Sequence, residues 1–153
     1  MICHEVEYLD RRYDNTLPVN PYSYKLSLSV FHPEIAPSTM TTALGMEPDG
    51  AHRAGDPRRT ATGTLLGGAY DRSFWRHRFP TPDDSDFPGF LHRVAVSLQP
   101  HRTFLRSLRE TGGDLELFVG LFAEGKNIGA TIPYDLMSIL ADLGIDIGLD
   151  IYA

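Results

Sequence analysis

The sequence predicts an α+β fold, a two-layer sandwich of a mainly antiparallel sheet with helices on one face. Three observations predict it. Several segments alternate apolar and polar residues with period two, which marks strands buried on one face only. Between them lie segments whose apolar residues recur every three or four positions, which marks amphipathic helices. The two kinds of segment interleave along the chain, and the first six elements follow a ferredoxin-like order, extended by a C-terminal hairpin, helix and strand.

Residues 1–21 read as a polar N-terminal arm, interrupted by Pro18, Asn20 and Pro21. Residues 22–153 read as a single α+β domain. Its first strand spans 24–31, where Tyr24, Leu26, Leu28 and Val30 alternate with Lys25, Ser27, Ser29 and Phe31. A short helix follows, with Pro37 in its first turn and Gly45 as its stop. Residues 46–69 are rich in Gly, Pro and Arg; within them 60–66 suggests a strand that turns at Gly67 and Gly68. Residues 70–79 form another strand, with Ser73, Trp75, His77 and Phe79 on one face and Tyr70, Arg72, Phe74, Arg76 and Arg78 on the other.

From 88 to 111 the spacing of Leu91, Val94, Ala95, Leu98, Phe104, Leu105 and Leu108 predicts two short helices or one helix kinked at Pro100. Gly112 and Gly113 close it. A strand over 115–122 puts Leu115, Leu117, Val119 and Leu121 on one face, and Glu116, Phe118 and Phe122 on the other. The 124–127 connection predicts a hairpin to a shorter strand at 128–132. Pro133 then opens a helix with Leu136, Ile139, Leu140 and Leu143 inward, Gly144 stops it, and the last strand alternates Ile145, Ile147, Leu149 and Ile151 with polar residues.

Composition bounds the function. Hydrophobic residues make up 42% and charged residues 22%, both ordinary for a globular chain. The formal charge of −6 argues against a dedicated nucleic-acid binder. One cysteine rules out an internal disulfide and a cysteine-rich zinc site, and Cys3 beside His4 in the arm lacks the preorganised base that a catalytic thiol needs. With no secretory leader and no apolar run of membrane-spanning length, a cytoplasmic, non-membrane protein is expected.

Motifs for phosphate-binding loops, dinucleotide folds, zinc proteases and nucleophile elbows are missing. Asp84-Ser85-Asp86-Phe87-Pro88-Gly89 begins like a calcium loop, but Pro88 stands at its fifth place and Ala95 where the bidentate glutamate belongs, so a solvated loop is expected. The six histidines (His4, His32, His52, His77, His92 and His101) form no close helical ligand pair. No metal, cofactor or catalytic residue is assigned. Trp75 reads as core.

Charge is unevenly distributed. Residues 1–49 carry −4, residues 50–109 carry +5 and residues 110–153 carry −7. All ten bases of the middle segment are arginines, whose planar fork suits carboxylates and phosphates. Arg53, Arg58, Arg59, Arg72, Phe74, Arg76 and Arg78 are therefore the candidate binding residues. The competing reading is internal balance, with Arg72, Arg76 and Arg78 facing Glu116, Asp146 and Asp150 across the sheet. The same outer face would display Phe31, Phe74, Phe118, Phe122 and Tyr152, an aromatic and arginine mixture that resembles an interface core. The alternative is a face covered by the arm or a loop.

Pro37, Leu44-Gly45-Met46-Glu47-Pro48, His52-Arg53-Ala54-Gly55, Trp75, Leu143-Gly144 and Leu149-Asp150-Ile151-Tyr152 together resemble the bacterial family called domain of unknown function 4279, over about 22–153. The resemblance implies an α+β domain without an established activity and offers no catalytic residues to carry over. The chain is also similar in size and acidity to immunity-type proteins. The expected function is a non-enzymatic protein-interaction domain whose partner is an unknown protein or another copy of itself. One alternative is a small-molecule or anion-binding enzyme with a pocket near 52–59, using His52, Arg53, Asp56 and His77. The other is a structural homo-oligomer.

Overall fold

Strand β1 (Ser23–His32) lies at the middle of a five-stranded sheet, in a computed structural model that describes residues 21–153. The expected arm therefore falls outside the described residues, apart from Pro21, as do Cys3 and His4. After β1 come α1 (Pro37–Leu44), the short β2 (Gly50–His52), a hairpin of β3 (Pro57–Arg59) and β4 (Leu65–Ala69), and β5 (Ser73–Phe79). Then follow α2 (Phe87–Leu98), a 3-10 turn (Gln99–His101), α3 (Arg102–Glu110), β6 (Asp114–Phe122), α4 (Tyr134–Leu143) and β7 (Asp146–Tyr152).

The sheet order is β2-β5-β1-β6-β7, and the hairpin forms a separate two-stranded sheet. β1 is antiparallel to both β5 and β6, while β7 is parallel to β6. The helical crossover from β5 to β6 passes over β1, the split β-α-β unit of ferredoxin-like folds. The α4 crossover adds β7 as the outer strand. This is the expected two-layer α+β sandwich with a mainly antiparallel sheet.

The period-two residues explain the core. Leu28, Val30, Trp75, Leu115, Leu117 and Val119 are fully buried on the inner face. Met40 of α1, Leu91 and Ala95 of α2, Leu105 and Leu108 of α3, and Leu136 and Leu143 of α4 close over them. Trp75 donates its indole N–H to the Thr41 hydroxyl at 3.0 Å, which satisfies the one polar atom it takes into the core. Helix ends match the expected stops: Gly45 and Gly144 adopt left-handed φ of 66° and 71°, which a side chain resists. Pro100 sits in the 3-10 turn that bends α2 into α3. Among the described residues, no helix is long and apolar enough to cross a membrane.

The calcium-like loop has a structural task. Ser85 accepts from the Tyr22 backbone N–H at 3.0 Å and donates to its carbonyl at 2.7 Å. Asp84 accepts from the Tyr24 hydroxyl at 2.9 Å, and Asp86 caps α2 by accepting from Gly89 N–H at 3.0 Å. The loop clasps the start of β1 to the start of α2.

Two segments differ from expectation. The hairpin turns at 60–64, not at Gly67 and Gly68. Thr60 Oγ1 accepts from Thr64 N–H at 3.0 Å, and Gly63 takes φ 91°, so the side chain and the glycine needed for the turn lie one step earlier. Residues 128–132 form no strand. The free side of β6 is occupied by β7, paired from Glu116 and Asp146 to Phe122 and Tyr152, so a hairpin strand has no edge to join. Ile128 and Ile132 pack against the core instead.

Candidate functional site

The outward residues of β5, β1, β6 and β7 stand in level rows set by the strand register. One row runs Lys25, Gly120, Asp150. The next runs Arg78, Ser27, Phe118, Gly148. Below it come Arg76, Ser29, Glu116, Asp146, and then Phe74, Phe31, Asp114. Small residues, Ser27 and Ser29 on β1 and Gly120 on β6, leave room in the middle of this grid among larger ones such as Arg76, Arg78 and Phe118. The result is a valley of about 430 Å³ with Ser27 and Gly120 in its floor and Lys25, Arg76, Arg78, Phe118, Phe122 and Tyr152 around it.

Aromatic rings shape the rim. Phe122 and Tyr152 stack at 4.9 Å and 7°, and a side chain at Gly120 would meet Phe118, Phe122 and Tyr152 at 3.7–3.9 Å. Phe31 and Phe74 pair at 4.9 Å at the far end. Lys25 Nζ stands 6.0 Å above the Phe122 ring, and the Arg76 guanidinium 6.0 Å from the Phe74 ring. Phe31 and Tyr152 keep 40% and 48% of their surface exposed, so the described part of the chain leaves this face open.

Charge divides the face along the strands. Lys25, Arg76 and Arg78 lie on β1 and β5; Glu116, Asp146 and Asp150 lie on β6 and β7. Arg76 and Arg78 share one carboxylate, Asp49, through their Nε atoms at 3.1 and 2.8 Å. Among the described residues Lys25, Glu116 and Asp150 form no ion pair. The nearby Asp150 carboxylate pushes the Tyr152 phenol up. A Cβ on Gly148 would fall 2.6–2.8 Å from the Glu116 carboxylate, so Glu116 lies folded over Gly148.

The seven candidate residues separate into two groups. Phe74, Arg76 and Arg78 meet on the outer face. Arg72 stands at its end, bound to Asp114 at 2.6 Å and to the Gly112 carbonyl at 2.7 Å, and its guanidinium holds the Asp114 carboxyl below the usual range. Arg53, Arg58 and Arg59 lie on or beside the hairpin, away from the valley. Arg59 donates to the Gly63 carbonyl at 3.1 Å, and the Arg53 backbone N–H donates to Asp56 at 3.3 Å, while the Arg53 and Arg58 guanidinium groups form no ion pair among the described residues.

Internal balance is thus real but follows other pairs than expected. Arg76 and Glu116 flank Ser29 two strands apart and do not touch; Arg109, not a sheet arginine, binds Asp146 at 2.7 Å.

A second cavity of similar volume, about 440 Å³, beside the hairpin includes His52, Asp56, Arg59 and Tyr70. The His52 ring stacks on Tyr70 at 3.5 Å, and burial lowers its pKa. His77 points to the opposite, inner side of the sheet, next to Trp75, with Nδ1 2.7 Å from the Glu47 carbonyl. His52 and His77 therefore do not converge. The candidate list omitted Lys25, Ser27, Gly120, Gly148 and Glu116; their signal was their even spacing along strands already identified, readable once the register is known.

A family model described as Domain of unknown function (DUF4279) matches residues 22–153, and the chain belongs to that family. No curated protein and no solved structure matches it.

Proposed function

We propose that this member of the DUF4279 family is a non-enzymatic protein-interaction domain that binds through the outer face of its sheet. The valley bounded by Phe118, Phe122, Tyr152, Lys25 and Arg78 carries this reading. Folding alone does not account for such a composition. Exposed ion pairs contribute little to stability, and aromatic rings left in water contribute less than buried ones. Clustered aromatics and arginines around a concave floor are instead the composition of interface centres.

The test is affinity capture with the purified chain and with a Phe118→Ala/Arg78→Glu variant. Captured chains, including further copies of the bait, are identified by mass spectrometry. The expected outcome is a specific protein lost by the variant while its melting temperature stays near that of the parent. An identical captured set for both proteins would remove the outer face from the function.

A further inference from the structure

The outer face is complementary to itself. A wholly acidic partner would suit Lys25 and the Arg76–Arg78 pair, which shares the single Asp49 carboxylate, but would set carboxylates against Glu116 and Asp150; a wholly basic one would do the reverse. The fitting surface must carry both signs in the opposite left-to-right order, and small residues opposite large ones. The same face turned over has that order.

We propose that the partner is a second copy of this chain, stacked face to face about a two-fold axis parallel to β1 and passing between β1 and β6. This rests on the outer face being the binding surface. Such an axis keeps each row at its own level and reverses the strand order. β5 of one copy then lies across β7 of the other, and β1 across β6. In the central row Phe118 falls on Ser27 of the second copy, and Ser27 on its Phe118. Arg78, which shares Asp49 with Arg76, falls on Gly148, where the Glu116 carboxylate lies. In the next row Arg76 falls on Asp146, but Asp49 already binds the first and Arg109 the second, so this crossing adds little.

Two further quantities agree. Aligned sheets pack about 10 Å apart, the depth that one large side chain opposite one small one fills. Four strands about 4.8 Å apart, each with about seven residues rising about 3.3 Å, give roughly 450 Å² of flat face per copy. The pair therefore approaches the ~1,000 Å² of a specific interface before side-chain relief is added. The resulting four-layer assembly has helices outside and two sheets within.

Light scattering coupled to gel filtration, on the full chain from micromolar concentration upward, reads the result directly. The parent is expected at twice its 17.1 kDa chain mass. Arg78→Glu alone and Glu116→Lys alone each place like charges at both crossings and are expected as monomers. An equimolar mixture of the two variants is expected to return to the dimer mass, because one crossing keeps Arg78 on Glu116 and the other gains Glu on Lys. Circular dichroism of each variant checks that it is folded, and Phe118→Ala, which leaves all charges in place, is expected to weaken the dimer at least tenfold. A parent monomeric at every concentration, or a mixture that stays monomeric, overturns self-pairing. If a different protein is then captured through the same face, the interaction reading survives without it; if nothing is captured, both fall.

Discussion

The two faces of the sheet are built from the same strands and meet different fates. At one level the inner face carries Leu28 and Leu117, each fully buried under the helices. One residue away on the same strands, Ser27 and Phe118 look outward onto an open valley. Inner residues are mostly apolar, with the few polar ones, such as His32 and Ser73, held by hydrogen bonds. Outer residues alternate sign and size across the strands, an order that stability does not require. The difference teaches that the inner face specifies the fold while the outer one is left to the proposed partner, and substitutions on each face test that separation.

The strongest way to break this separation is at the inner face. Trp75→Ala removes a fully buried ring and its bond to Thr41, and is expected to cost about 3–5 kcal/mol in chemical denaturation. If the protein tolerates it with little loss, the inner face is not the seat of stability. Arg109→Ala comes next. Arg109 bridges α3 to β6, β7 and the end of α4 through Asp114, Asp146 and the Gly144 carbonyl, so an expected loss of about 1–2 kcal/mol should appear in the same measurement.

A smaller effect depends on pH. His32 is buried, accepts from the Glu34 and Ile35 N–H groups at Nδ1 and lies 2.8 Å from Thr111 Oγ1 through Nε2. Burial, helped by the Arg72 charge, lowers its pKa in the folded chain. The unfolded chain, with a histidine near about 6.5, therefore takes up the proton first as pH falls. Its stabilising contribution is whole above that value and is lost as pH falls below it toward the depressed folded pKa. The melting temperature should drop between neutral pH and pH ~5.5, and His32→Asn, whose side-chain oxygen can still accept from the turn, should flatten that drop. The smallest effect sharpens the comparison from the other side: Phe118→Ala should change stability by no more than about 0.5–1 kcal/mol while weakening binding at least tenfold. A large loss of stability there would show that the outer face also holds the fold together.

Much of the architecture was legible in the chain. Alternation in 24–31, 70–79 and 115–122 identified the strands and sorted inward from outward residues, because a side chain's face depends only on parity within a strand. Pro37, Gly45, Pro100 and Gly144 marked helix limits through local backbone restriction. The hairpin at 128–132 was not legible, because whether a strand forms there depends on which segment claims the free side of β6, and β7 arrives from more than twenty residues later. The arginines were legible as a group and not as pairs. Asp49, Asp114 and Asp142 take Arg76 and Arg78, Arg72, and Arg102 respectively, partners 27 to 42 residues apart that no local spacing links.

What the chain determined by itself was therefore local: element type, element ends, and which residues share a side. Those properties follow from dihedral restriction and from the fixed periods of helix and strand. Tertiary structure alone decided the neighbours. Only the register brings Arg78, Ser27, Phe118 and Gly148 into one row, and only the parallel placement of β7 sets an acidic edge opposite the basic one. Adjacency across strands is set by long-range packing of the core beneath, so the mixed aromatic and charged valley of the outer face is a consequence of burial on its opposite side.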